Sequence, residues 1–417
     1  MSRQAPAAGT AAAGGALTLE AVAGVELAAA TVGLKASGRP DLVLVRLAES
    51  SRTSALFTRN AFCAAPVQVA RAHLAVSAPR VLLINSGCAN AGTGVAGLDD
   101  ARATCARAGT ACQVPGEAVL PFSTGVIGER LGARVPLERL LEQIDRCAGA
   151  LAPGADAWHA AADAILTTDT YAKGCSVRAA LPGGEVTVTG IAKGSGMIRP
   201  DMATMLAFVA TDADVEQPML DELLRDATDA SFHRITVDGD TSTNDAVTLS
   251  ATGASGVRVR TPADRDGLRD ALVQVFVELA QSIVRDAEGA TRFVEIAVDG
   301  GRDEAECRSV AFTVAHSPLV KTALFGGDPN WGRILAAVGR APVDRLDVDR
   351  IDIALGELQL VASGQPVPGY DETRAAAIVT QPEIVIHIGL GRGTAGTRVW
   401  TSDLSYDYVR INADYRT

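Results

Sequence analysis

Five stretches of the chain are almost unbroken runs of apolar, often β-branched residues: 41–47 (DLVLVRL), 80–87 (RVLLINSG), 185–191 (EVTVTGI), 205–213 (MLAFVATDA) and 383–391 (EIVIHIGLG). Short apolar runs bounded by Gly, Pro or Asp predict buried strands. Other segments change period. Residues 95–114 are Ala-rich with Asp99 and Asp100 near their start, and 217–232 follow Glu216 with Pro218 in the first turn, so both predict helices. The longest predicted helix spans about 262–286: Pro262 opens it, and Leu268, Leu272, Val275, Phe276, Leu279 and Ile283 recur at the helical period. Two shorter helices are predicted at 303–315 and 331–341.

Strands and helices do not alternate strictly. Paired strands near 185–213 and 383–409 predict hairpins. The expected fold class is therefore α/β, a layered sandwich with mixed or antiparallel sheets rather than a doubly wound parallel sheet. A chain of 417 residues exceeds one ordinary core, so two lobes are expected. The Gly- and Pro-punctuated stretch 181–204 is the predicted junction.

Composition narrows the class. Hydrophobic residues make up 47% and aromatics only 4%, so Ala, Val, Leu and Gly must build the core. A formal net charge of −11 argues against nucleic acid or an anionic membrane as the main partner, while leaving room for a local basic pocket. Seven cysteines without a CxxC pair read as reduced, buried thiols of a cytosolic protein. Five scattered histidines offer no zinc or di-metal spacing. Residues 1–17, rich in Ala and Gly, read as a disordered extension and not as a signal peptide. No run approaches the ~20 apolar residues that span a bilayer.

Candidate chemistry begins at 189–213 (TGIAKGSGMIRPDMATMLAFVATDA). Gly194 and Gly196 free the backbone, Pro200 restrains Arg199, and Ala203 precedes Thr204 at the edge of an apolar strand. A hydroxyl in that place reads either as a nucleophile or as an ordinary loop residue entering a strand, with Lys193 solvated. KGSG lacks the residue order of a phosphate-binding loop. In PFSTGVIGER (121–130), Thr124 and Gly125 either form a tight turn or present donors to a developing oxyanion. In ILTTDT (165–170), Thr167 and Asp169 read equally well as a hydroxyl-rich site and as a turn or helix cap.

Taken together, KGSGMIRPDMATMLAF and STGVIG resemble the ornithine acetyltransferase family, the self-cleaving glutamate N-acetyltransferases of arginine biosynthesis. FTRNAFCAAPV (57–67), INSGCANAGTG (84–94), DGDTSTNDAV (238–247), DAEGATRF (286–293), LVKTALFGGDPNWGRILAAVG (319–339) and TSDLSYDYVRINADYRT (401–417) extend the resemblance over nearly the whole chain after about residue 18. Departures are minor; Gly92, for example, stands where the family usually has Cys. The resemblance implies a self-cleaving aminopeptidase-like fold and a cut between Ala203 and Thr204, giving an alpha fragment 18–203 and a beta fragment 204–417.

It further implies that Thr204 carries the acetyl group as an ester and that Thr124 and Gly125 stabilise the oxyanion. Thr167, Lys193, Thr204, Glu288, Asn412 and Thr417 would bind substrate. The implied reaction is a ping-pong transfer from N2-acetylornithine to glutamate without cofactor or metal, with acetyl-CoA as a further donor in bifunctional members. A cytoplasmic heterotetramer of two alpha and two beta fragments is implied as well. The chemistry agrees. No Ser/His/Asp arrangement activates the hydroxyl, but the cut creates an α-amine on Thr204. Such amines ordinarily titrate at about 7.7–8.0, so this one is able to act as general base for its own hydroxyl. Lys193 suits a substrate carboxylate and Glu288 the ornithine amino group. Competing readings are a related self-cleaving amidase or aminopeptidase that passes the acyl group to water, a paralogue serving secondary metabolism, and a binding protein that has lost activity.

Overall fold

The structure, a computed structural model, describes residues 17–199 and 205–414. The extension predicted for 1–17 therefore falls outside the described residues except for Leu17. Ala203, Thr204 and Thr417 also lie outside them. In chain order the strands are β1 (Val25–Ala30), β2 (Leu42–Leu47), β3 (Arg52–Phe57), β4 (Val81–Cys88), β5 (Val119–Val126), β6 (Lys173–Leu181), β7 (Gly184–Lys193), β8 (Leu206–Thr211), β9 (Ala246–Ala251), β10 (Phe293–Gly301), β11 (Asp352–Leu355), β12 (Leu358–Ala362), β13 (Gln365–Pro366), β14 (Glu383–Gly389) and β15 (Ala395–Ser402).

They form three sheets, ordered β1-β2-β4-β5, β3-β9-β8-β7-β6 and β13-β12-β11-β14-β10-β15. All three mix parallel and antiparallel pairs, as expected. The first two sheets stack face to face. Val43, Val45, Leu82, Ile84, Leu120 and Phe122 from one meet Ile191, Leu206, Phe208 and Ala210 from the other. On the outer face of the first sheet, Leu42, Leu44, Val81, Leu83 and Val119 pack against the helices Gly94–Cys112 and Leu137–Gly149. On the outer face of the second, Ala207, Val209, Val247 and Leu249 pack on the helices Gln217–Ala230 and Pro262–Arg285. Successive residues of a strand thus enter opposite cores, which is why these strands read as continuous apolar runs instead of alternating ones. The third sheet and its helices, including Glu304–Ala315 and Trp331–Gly339, enclose a separate core.

The five predicted strands and five predicted helices are present with ends shifted by a few residues. The hairpin predicted at 185–213 exists in outline, since β7 pairs antiparallel with β8. The second does not. β14 pairs with β10 and β11, and β10 separates it from β15. The edge of β14 that such a hairpin would use is taken by β10, which comes earlier in the chain and pairs with β14 on one side and β15 on the other. The helices Ala65–Val76 and Ala155–Ala164 are not predicted, because their Ala-rich sequences carry a faint period.

Candidate functional site

The end of β5, the end of β7 and the segments before β8 and β9 converge on one cavity of about 340 Å³. It is lined by Thr124, Gly125, Thr167, Lys193, Glu288 and Asn412. These are six of the predicted site residues, drawn from positions nearly 300 residues apart.

The first pair sits on a β-bulge, where the register between β4 and β5 shifts at Gly87 and Cys88 opposite Thr124 and Gly125. Bulges re-aim backbone groups beside active sites. Gly125 has φ +128°, and a Cβ there would lie 2.3 Å from the Gly87 carbonyl carbon and 2.5 Å from the Cys88 nitrogen. Only glycine fits. Asn244 locks the same corner, its Nδ2 donating to the carbonyls of Ala89 (2.7 Å) and Ser123 (2.9 Å).

Lys193 ends β7 and is buried. Its Nζ donates to Thr167 Oγ1 at 2.8 Å and to Thr124 Oγ1 at 3.3 Å. Burial lowers its pKa, and the carboxylate of Asp169, 4.0 Å away, opposes that shift. Asp169 is fully buried and accepts the amides of Thr167 (3.0 Å) and Gly194 (2.7 Å) and the ammonium of Lys173 (2.7 Å). Burial alone would raise its carboxyl, but Lys173, Lys193 and the hydrogen bonds outweigh that and hold it well below the usual carboxylate range. Lys173 also donates to Asp286 at 2.5 Å, just past the end of the helix Pro262–Arg285.

Glu288 is tied to the glycine loop by its own amide, which donates to the Ser195 carbonyl at 2.9 Å, and its Oε2 accepts Asn412 Nδ2 at 2.9 Å. Gly196 leaves the space for it: a Cβ there would stand 2.3 Å from Glu288 Oε2. Asn412 belongs to the helix Tyr406–Asp414, whose first turn overlaps the stretch expected to be strand.

Three further residues are not singled out by the sequence. Asp238 accepts the amides of Met197 (2.6 Å) and Ile198 (2.8 Å) and the hydroxyl of Tyr408 (3.2 Å), clamping the glycine loop to the C-terminal helix. Met197 has φ +56°, an uncommon value for a residue with a side chain, and the clamp maintains it. Burial, with the Asp238 charge beside it, raises the Tyr408 hydroxyl. Asp245 is buried before β9, and its carboxyl accepts the Met205 amide. Burial pushes it well above the usual range. The Met205 carbonyl accepts Ala246 N at 3.1 Å, so the residue that follows Thr204 in the chain is held at both its polar groups. Both aspartates lie in DGDTSTNDAV, where the density of Asp and Thr is the available signal.

Among the described residues no group of three or more His, Cys, Asp or Glu could hold a metal ion, and no helix is long and apolar enough to cross a membrane. All seven cysteines are free; Cys63 and Cys175 are half-buried rather than buried.

A family model described as the ArgJ family matches residues 26–417. The chain is 51% identical over 398 residues to the arginine biosynthesis bifunctional protein ArgJ of Methylococcus capsulatus, covering 95% of this chain and 96% of that protein. Two crystal structures are also similar. ArgJ of Bacillus halodurans shares 40% identity with a TM-score of 0.49, over 51% of this chain and 100% of that one. Ornithine acetyltransferase of Mycobacterium tuberculosis, complexed with ornithine, shares 32% identity with a TM-score of 0.37, over 43% of this chain and 93% of that one.

Proposed function

The chain belongs to the ArgJ family, and from that premise we propose that the protein moves the acetyl group of N2-acetylornithine to glutamate through an ester on Thr204. The chain first cuts itself between Ala203 and Thr204, which frees the Thr204 α-amine. That amine takes the hydroxyl proton as Oγ attacks the acetyl carbonyl, and Thr124 and Gly125 stabilise the tetrahedral oxyanion. The ornithine nitrogen accepts the proton and leaves. Glutamate then brings its amine to the ester, and N-acetylglutamate departs as Oγ regains its proton. Lys193 pairs with a substrate carboxylate and Glu288 with the ornithine amino group, while Thr167, Asn412 and Thr417 complete the binding site. Glu288→Gln should accordingly weaken the ornithine half-reaction more than the glutamate half-reaction.

The observation that carries this reading is one cavity holding a buried cation, two hydroxyls, a forced glycine and a carboxylate, lined also by Gly196 and Met197 of the glycine loop that precedes β8 in the chain. The word "bifunctional" in the name of the Methylococcus relative supports acetyl-CoA as a second donor. We further propose a cytoplasmic assembly of two alpha and two beta fragments. A denaturing gel with N-terminal sequencing tests the maturation: two bands are expected, the lower-numbered fragment ending at Ala203 and the other beginning Thr-Met-Leu-Ala-Phe, with Thr204→Ala uncut. One intact band from active protein would sink the mechanism. Acetyl transfer to glutamate should far exceed hydrolysis; the reverse would favour an amidase.

A further inference from the structure

Behind the cavity lies a row of charges that does not line it: Asp169, Lys173 and Asp286, whose side chains are 0%, 0% and 2% exposed. One carboxylate in this row touches both segments that deliver the cation end of the site. Asp169 Oδ2 accepts the Thr167 amide, and its Oδ1 accepts the amide of Gly194, the residue after Lys193. Removing that carboxylate would free the spacing between Thr167 and Lys193.

Charge makes a second demand on the same group. A buried ammonium is costly unless a counter-charge stands near it. The charged groups that bear on Lys193 are Asp169, Lys173, Glu288 and Asp245, together with Lys35 across the loop. Lys173 and Lys35 repel it. Glu288 and Asp245 favour the ammonium as well, but less than Asp169 does. Asp169 is the foremost of the opposing charges. At 4.0 Å it is too far to take a hydrogen bond from Lys193, whose Nζ spends two of its three donors on Thr167 and Thr124. Among the described residues the third has no hydrogen-bond partner. Lys173 in turn pairs with Asp169 and links it to Asp286, two residues before Glu288.

We propose that Asp169 is a positioning residue of the substrate site: it fixes Thr167 and Lys193 at one spacing and supplies the counter-charge Lys193 needs while the cavity is empty. This rests on the reading that Lys193 receives a substrate carboxylate. Its signature is a pH dependence. Without Asp169 the Lys193 ammonium loses its proton at lower pH, so carboxylate binding fails progressively as pH rises through that range.

The test is steady-state acetyl transfer by the full self-cleaved protein, at saturating glutamate, from pH 6 to pH 8.5. Wild-type transfer is measured first; its absence overturns the parent reading and this one with it. In Asp169→Asn, KM for N2-acetylornithine should rise about tenfold near pH 7 while kcat changes less than about threefold. The KM ratio of variant to wild type should grow with pH, which cancels the titration of groups common to both. For the substrate analogue with a carboxamide in place of the α-carboxylate, KM should be alike in the two proteins. A flat KM ratio, or an equal loss with the carboxamide, overturns the role of Asp169 while leaving the transfer reaction standing. Asp169→Asn combined with Lys173→Met and Asp286→Asn removes all three buried charges together and strands none of them, so it serves if the single variant folds poorly. The same pH-dependent rise in KM is expected of it, and wild-type KM in the triple variant would refute the proposal.

Discussion

The cavity has two walls of different make. The inner wall, with Thr124, Gly125, Thr167 and Lys193, is set on strand ends and buried turns whose backbone and side chains are bonded from several directions. The outer wall, with Tyr408 and Asn412, rides on the helix Tyr406–Asp414, which has no buried residue. That helix is held where Ser405 Oγ bonds the Gly289 carbonyl and by the bonds of Tyr408 to Asp238 and of Asn412 to Glu288. Its first residue, Tyr406, meets Phe325 edge-on but stays 84% exposed. Acyl transfer needs donors fixed to a fraction of an ångström, whereas a ping-pong cycle must release one amino acid and admit another. The rigid wall suits the first need and the lightly held wall the second.

The sharpest way to break this comparison is Gly125→Ala. The new methyl meets backbone atoms of Gly87 and Cys88 that cannot swing aside, at a φ that disfavours any side chain. Loss of an oxyanion donor alone costs about 100- to 1,000-fold in kcat. We expect at least that loss, with slowed self-cleavage on a denaturing gel. Activity within threefold of wild type would show that the inner wall tolerates movement.

The sequence foretells the inner wall better than the outer. β8 announces itself because both its faces are covered, and the STG and KGSG strings carry residues whose lack of a side chain is structurally required. The pairing of Lys193 with Thr124 and Thr167 is not legible, since contacts across 69 and 26 residues leave no local periodicity. Asp169 can be read as a turn or cap, and its bonds to the Thr167 and Gly194 amides do part of that work. Its ion pair with Lys173 and the link to Asp286 depend on tertiary burial. The outer wall misleads because YDYVRINAD has β-favouring Tyr, Val and Ile without a core-facing stripe. The hairpin expected at 383–409 fails for a related reason, because local pattern cannot reveal that β10 inserts between the two strands.

Asn412→Ala sharpens the comparison from the outer side. It removes one hydrogen bond to Glu288 on an exposed helix, so the melting temperature should move by less than about 2 °C. A bond to a charged group contributes on the order of 1.5 kcal/mol, so KM for N2-acetylornithine should rise about tenfold with kcat nearly unchanged. A fall in kcat without a change in KM would place Asn412 with the chemistry and erase the distinction between the walls.

Tyr408→Phe should have the smallest effect. It deletes only the hydroxyl that Asp238 accepts at 3.2 Å, while Asp238 keeps the amides of Met197 and Ile198. The glycine loop should therefore hold its shape, and self-cleavage should proceed at the wild-type rate. What changes is the hold on the helix. With one of its ties gone, the outer wall opens more readily, so kcat/KM should fall only about threefold and amide hydrogen exchange across 406–414 should quicken. Faster exchange confined to that helix supports a wall that moves independently. Equal quickening around Thr167 and Lys193 would mean that the two walls open as one unit and that the Asp238 clamp, not the buried charges, holds the inner one in place.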